Sequence, residues 1–316
     1  MNNFIIFDAH CDTITKLMET GQDLYSNDAH LDIKRMKKYK GYVQIFAAWI
    51  APEYSPHHAL KRSLQIIDEF IRQVEKNKEY IAFVRDYKQM MEAVHNQKVA
   101  AFLSIEGGEA LQGDLSVLRM LYQLGVRSIC LTWNGRNQIA DGVGEECTNG
   151  GLTGFGRTVV EEMNRLGMLI DVSHLSPAGF WDVIELSKQP IIASHSNSKS
   201  LCRHKRNLTD DQFQALIKNG GMAGINIYPL FLNECGEADI YDMVRHIEYF
   251  MELGGENNIG LGCDFDGIDI TPKDIKSVEQ LEELFNSLLR LNYSQQQVEK
   301  IAGENSIRLI QKIFQK

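Results

Sequence analysis

The chain has 316 residues, of which 44% are hydrophobic and 24% charged, and it carries a formal net charge of −9. This is ordinary globular composition with enough apolar residues for a large core, and no stretch approaches the roughly 20 apolar residues of a membrane span. The acidic balance repels phosphate backbones, so nucleic acid is not expected as a partner.

The chain opens on Met1–Phe7 and a charged Asp8, with no basic region and no long apolar stretch. That predicts no secretory signal and makes the cytoplasm the expected address. The closing Gln315-Lys316 carries no lipidation signal. Six cysteines (Cys11, Cys130, Cys147, Cys202, Cys235 and Cys263) are scattered without a C-x-x-C pair and read as free thiols.

Short apolar, β-branched runs recur along the chain. They are Phe4–Phe7, Tyr42–Ile50, Val99–Ile105, Val126–Thr132, Met168–Val172, Pro190–Ser194, Met222–Ile227 and Ile259–Cys263. None alternates cleanly between apolar and polar, as expected of strands buried on both faces of a parallel sheet. Amphipathic stretches lie between them: His58–Asn77, Gly156–Leu166 and Val278–Leu291 all repeat their apolar residues at helical spacing. Glycines mark the returns from helix to strand at Gly125, Gly167, Gly220-Gly221 and Gly254-Gly255. A last helix, Gln296–Phe314, would close the chain on the outside.

Eight strands alternating with helices point to an α/β protein of the (β/α)8 TIM-barrel type. Only six prolines occur and no Ser/Gly linker is visible, so residues 1–316 are expected to form a single domain. An open doubly wound sheet is the alternative, but it would gather its site at one switch point. Here polar groups follow runs one, three, five, six and eight, which suits a closed ring better.

Those polar groups are chemically alike. His10-Cys11-Asp12, Ser104-Ile105-Glu106-Gly107-Gly108, Asp171-Val172-Ser173-His174, Ser194-His195-Ser196 and Gly262-Cys263-Asp264-Phe265-Asp266-Gly267 each follow an apolar run. Each offers an imidazole nitrogen or a hard oxygen where the run ends. In a strand His10 and Asp12 share a face, and so do Asp264 and Asp266. Glu106 can bridge two cations, and the glycines after it allow a tight turn. Mixed imidazole and carboxylate ligands fit zinc better than magnesium. His10 and Asp12 would hold one ion, His174 and His195 a second, with Glu106 between them, as in binuclear hydrolases. Asp264, nearer its strand end, is the preferred acid/base carboxylate; Asp266 reads as a turn residue and Phe265 as core. No phosphate loop follows the first run and no G-x-S-x-G elbow occurs.

Together with Arg206-Asn207-Leu208-Thr209-Asp210-Asp211, these motifs resemble the membrane (renal-type) dipeptidases, peptidase family M19 of the amidohydrolase superfamily. The resemblance runs from about Phe7 to Gly303-Glu304-Asn305, with the motifs in the family's order. It implies a binuclear zinc centre that hydrolyses dipeptides through a metal-bridging hydroxide, and leaves open whether those with a C-terminal D-residue are included. It implies His10, Asp12, Glu106, His174 and His195 as ligands and Asp264 as acid/base. Arg206 would bind the substrate's terminal carboxylate, for which a guanidinium fork is well shaped. One departure stands out. Where the animal members carry a histidine after the Leu-Thr pair, this chain has Trp133-Asn134 after Leu131-Thr132. Trp133 reads as an aromatic pocket wall, and Asn134 as the residue able to donate a hydrogen bond to substrate instead. A homodimer is compatible with the resemblance. Two other functions remain open at this level: hydrolysis of N-acyl amino acids, cyclic amides or lactones on the same barrel, and a non-catalytic scaffold, disfavoured because all five ligand positions are filled.

Overall fold

Nine parallel strands form in this computed structural model, which describes residues 2–314. They are β1 (Asn2–Cys11), β2 (Tyr39–Trp49), β3 (Ile81–Phe83), β4 (Val99–Glu106), β5 (Val126–Cys130), β6 (Leu169–Asp171), β7 (Ile192–Ala193), β8 (Met222–Ile225) and β9 (Ile259–Leu261). Eight of them run in the order β2-β1-β9-β8-β7-β6-β5-β4, and a β2–β4 pairing closes the ring. The (β/α)8 barrel expected from the sequence is thus the observed fold.

The ninth strand was not expected. β3 pairs only with the start of β4, Ile81 opposite Val99 through Phe83 opposite Ala101, and stands outside the ring. Three residues are too few to carry a periodic signal. The expected runs otherwise overlap the ring strands, with shifted ends. β1 reaches Cys11, whereas Pro190–Ser194 contracts to the two residues of β7.

Helices surround the ring. Ala59–Lys76 and Gly154–Leu166 lie where the periodicity indicates, and Leu281–Arg290 follows a short 3-10 turn at Val278–Gln280. The closing helix is unbroken from Gln295 to Ile313, with a π-turn at Lys300–Glu304 set between the α-helical stretches Gln295–Glu299 and Asn305–Ile313. There Gly303 presses on β1, since a Cβ would come 2.6 Å from the Ile5 carbonyl oxygen. The aromatic pair Phe213–Phe250, stacked at 3.9 Å, belongs to the shell between strands and helices.

The lumen holds a separate apolar cluster. Phe7, Val43, Phe102, Leu169, Ile192 and Met222 pack there with Leu309, Ile313 and Phe314 from the chain's end. In β4 side chains alternate, so Phe102 shares the inward face with Ser104 and Glu106. The inner face is therefore hydrocarbon at the start of the strand and charged at its end. All six cysteines are free. Among the described residues no helix is long and apolar enough to cross a membrane.

Candidate metal centre

Five ring strands deliver the expected residues to the same mouth. His10 lies inside β1 and Glu106 is the last residue of β4. His174 stands three residues past β6, His195 two past β7 and Asp264 three past β9. Asp12 is not a strand residue: it is the N-cap of helix Thr13–Thr20, and its side chain makes no capping bond. An aspartate that leaves the cap unmade keeps its oxygens for something else.

Glu106 sits between two groups of ligand atoms. Its Oε2 lies 3.4 Å from His10 Nε2, which is itself 3.4 Å from Asp12 Oδ2. Its Oε1 lies 2.9 Å from His174 Nε2 and 3.5 Å from His195 Nε2. The two histidine Nε2 atoms are 2.9 Å apart. Glu106–His174–His195 and His10–Asp12–Asp264 each bring one ligand atom per residue within 4.8 Å of one another.

The opposite nitrogens explain why these atoms converge. His195 Nδ1 is 2.7 Å from Ser194 Oγ, which in turn donates to Asp171 Oδ2. His174 Nδ1 is 2.9 Å from Asn134 Oδ1. With a proton on each Nδ1, both Nε2 lone pairs face the Glu106 oxygen, a donor set that wants a cation. Burial first, with Arg206 next, lowers His174 to about 3. Burial and the neighbouring His10 likewise hold His195 well below its usual range, so both rings are neutral, as ligands must be. On the other side, His10 Nε2 and Asp12 Oδ1 are buried without a hydrogen-bond partner. Burial opposes charge on His10, but Glu106 and Asp12 outweigh it and push its pKa well up. Two converging sets of oxygens and nitrogens fit divalent cations, with Glu106 able to serve both.

Asp264 and Asp266 do not share a strand face. Both adopt left-handed backbone, with φ of 63° and 67°, in the turn after β9. The alternation rule fails because the strand ends at Leu261. Asp264 turns into the mouth, where Oδ1 is 3.8 Å from His10 Nε2 and Oδ2 accepts from Asn226 Nδ2 at 3.0 Å. Burial pushes it up to about 7. Asp266 accepts from the Thr13 hydroxyl at 2.6 Å and the His30 amide at 2.7 Å, a turn tie as expected. Phe265 is fully buried. At Gly267 a Cβ would fall 2.3 Å from Asp12 Oδ2 and 2.4 Å from Asp264 Oδ1, so only glycine leaves room between the carboxylates.

Arg206 reaches the same mouth from the loop after β7 and is only 4% exposed. Its Nη2 donates to the His195 carbonyl at 3.2 Å, its guanidinium lies 5.6 Å from the Phe231 ring, and its buried Nε has no partner. Among the described residues no carboxylate pairs with it within 4 Å. A buried guanidinium without a counter-charge is costly unless a ligand brings one.

A cavity of about 550 Å³ opens over these groups. Trp133 and Asn134 line it, as do Asp12, Glu106, His174, Arg206 and Asp264. Trp133 is the aromatic wall expected of it: it meets Trp49 edge-on at 5.6 Å and His174 at 6.0 Å. Asn134 is in the wall too, but its oxygen is already committed to His174. Trp49, Tyr228 and Asn226 escaped the sequence reading. Trp49 ends a mostly apolar strand, and Asn226 and Tyr228 sit in a loop with no local motif.

The chain matches the description "Membrane dipeptidase (Peptidase family M19)" over residues 1–316. It is 34% identical over 301 residues to an uncharacterised dipeptidase of Schizosaccharomyces pombe, covering 90% of this chain and 72% of that protein. Among solved structures it resembles the metallopeptidase dipeptidase AC with a TM-score of 0.91 and 26% identity, over 100% of both chains. It also resembles a Rhodobacter sphaeroides metallopeptidase liganded with a phosphinate mimic of L-Ala-D-Ala. There the TM-score is 0.89 and the identity 27%, over 99% of this chain and 100% of that one.

Proposed function

The chain belongs to the membrane dipeptidase family, peptidase family M19, and on that premise we propose that this metal-dependent dipeptidase is a binuclear zinc enzyme. His10 and Asp12 would hold one ion, His174 and His195 the other, and Glu106 both. Bound zinc supplies a polarised scissile carbonyl and an activated water.

The observation that carries the substrate assignment is Arg206, a buried guanidinium with no protein carboxylate beside it, facing the cavity that Asp12, Glu106, His174 and Asp264 also line. Arg206 clamps the free carboxylate of the dipeptide and thereby fixes how far the scissile bond lies from the chain end. Asp264 takes a proton from the attacking water and delivers it to the nitrogen as the C–N bond breaks. Its pKa of about 7, raised by burial, suits both halves of that transfer near neutrality. Trp49 and Trp133 give the cavity an apolar wall that excludes water from one side. Because a related metallopeptidase accepts a phosphinate mimic of L-Ala-D-Ala, we include C-terminal D-residues in the substrate range.

Chelator-treated protein tested on L-L and L-D dipeptides, with and without added zinc, checks this reading. Zinc-dependent release of free amino acids is expected, from L-D as well as L-L substrates. Release without metal, or equal turnover of dipeptides with a blocked C-terminus, would overturn it and favour an N-acyl or cyclic amide substrate.

A further inference from the structure

The two histidines that face Glu106 Oε1 are backed unequally. His195 leans on Ser194, and Ser194 on Asp171, whose Oδ1 also accepts the Ser173 amide at 2.9 Å and the Ser194 amide at 3.0 Å. That is a buried carboxylate relay spanning two adjacent strands. His174 has no such relay. Its Nδ1 meets one neutral amide oxygen, that of half-buried Asn134, at 2.9 Å.

His174 also stands on strained backbone. Its φ is +66°, a left-handed conformation that β-branched and most other L-residues avoid. The loop after β5 holds it there: its carbonyl accepts the Val143 amide at 2.8 Å and the Thr132 hydroxyl at 3.2 Å. The same loop is folded tightly on Asn134. The Asn134 carbonyl accepts the Gly144 amide at 2.7 Å, and a Cβ on Gly144 would meet that oxygen at 2.5 Å. Asn134 is thus part of the rigid wrapping of His174, its backbone held by Gly144 and its amide oxygen set against His174 Nδ1.

We propose that Asn134 is a positioning residue that, by accepting the Nδ1 proton of His174, presents the Nε2 lone pair to the metal shared with His195 and Glu106. The opposite amide orientation would donate to Nδ1 and put the proton on Nε2, where it would block ligation. This rests on the two-metal reading above. It assigns Asn134 to metal retention, where the sequence alone assigned it to substrate. One subsite is therefore softer than the other: losing the amide weakens the His174–His195 subsite and spares the His10–Asp12 one. Loss of a partner behind a ligating histidine typically lowers metal affinity roughly 10- to 100-fold.

The test is a zinc titration of chelated protein against a competing chromophoric chelator, for wild type, Asn134→Ala and Asn134→Asp, with cobalt spectra of each. Wild type is expected to bind two ions. In Asn134→Ala one binding constant weakens roughly 10- to 100-fold while the other holds, and the cobalt spectrum changes. Asn134→Asp, which keeps an acceptor in place, restores both. Unchanged binding constants and spectrum in Asn134→Ala, with the dipeptide KM raised instead, overturn the proposal and make Asn134 a substrate contact. If wild type binds a single ion, the two-metal reading falls on its own. A weakened constant in Asn134→Ala still supports the positioning role, and an unchanged one refutes it.

Discussion

The two ends of one barrel lumen are built for opposite tasks. At the strand starts, Phe7, Phe102, Leu169, Ile192 and Met222 close on Leu309, Ile313 and Phe314, with Phe102 and Phe314 5.3 Å apart. At the strand ends, the same ring buries three histidines, Asp12, Glu106, Asp264 and Arg206. The floor gains stability by removing hydrocarbon from water. The mouth spends stability by removing charge from water, with His10 Nε2, Asp12 Oδ1 and Arg206 Nε left without hydrogen-bond partners. The difference teaches that one scaffold separates holding from acting along its axis, so changes at the two ends should be read by different instruments.

The largest expected effect is at the mouth. Asp264→Asn keeps the shape and removes the proton carrier, so turnover should fall by about 10²–10⁴-fold while zinc content stays at the wild-type level. Dipeptide kinetics and metal analysis on one preparation check it. Retained turnover would remove Asp264 from the proton path.

The floor should respond in the other way. Phe102→Ala opens a cavity in the lumen cluster and should destabilise by about 3–5 kcal/mol, with kcat per folded molecule and metal content unchanged. Denaturant unfolding beside activity separates the two. A large loss of kcat in folded protein would mean that the ends are mechanically coupled.

Arg206→Ala is the next sharpening. It should lower kcat/KM for dipeptides on the order of 100-fold, mostly through KM, and leave substrates with an amidated C-terminus unaffected. Stability should not fall, because the change removes a buried charge that no carboxylate balances. Equal losses on free and amidated substrates would sink the clamp.

How legible each end was follows from physics. The ring was readable because parallel strands buried on both faces leave continuous apolar runs, and the candidate ligands because the runs that carry them end in residues that no core would choose. β3 was not readable, since Ile81–Phe83 is too short to show a period. The shared face assigned to Asp264 and Asp266 failed because the strand stops at Leu261 and left-handed turns follow. What stands behind the ligands was least visible. Ser194, Asp171 and Asn134 act through hydrogen bonds across 1 to 40 positions of chain, and no local pattern encodes those. His246 sits mid-helix with no motif around it.

His246 gives the smallest effect and separates the two ends by pH. It is fully buried on helix Ile240–Glu252, where its Nδ1 accepts the Ser198 amide at 3.1 Å and its Nε2 donates to the Leu232 carbonyl at 2.9 Å. It thus ties the loop that carries Arg206 to the segment that carries Phe231. Accepting from Ser198 requires a neutral ring, and burial lowers its pKa from 6.5 to about 4. A depressed histidine binds its proton more readily in the unfolded chain. Its contribution is therefore complete above the unfolded value of 6.5 and is lost as pH falls from there towards about 4. Between pH 7 and 5 the loss is about 2 kcal/mol. In the mouth His174 and His195 are lowered like His246 while His10 is raised, so the comparison must be between chains: urea midpoints of chelated wild type and His246→Asn at both pH values. The variant should be weaker at pH 7 yet lose about 2 kcal/mol less on acidification. The apolar floor cluster contains no group that titrates in this range, so Phe102→Ala should keep the full wild-type pH dependence. An unchanged pH dependence in His246→Asn would place the acid sensitivity elsewhere in the mouth.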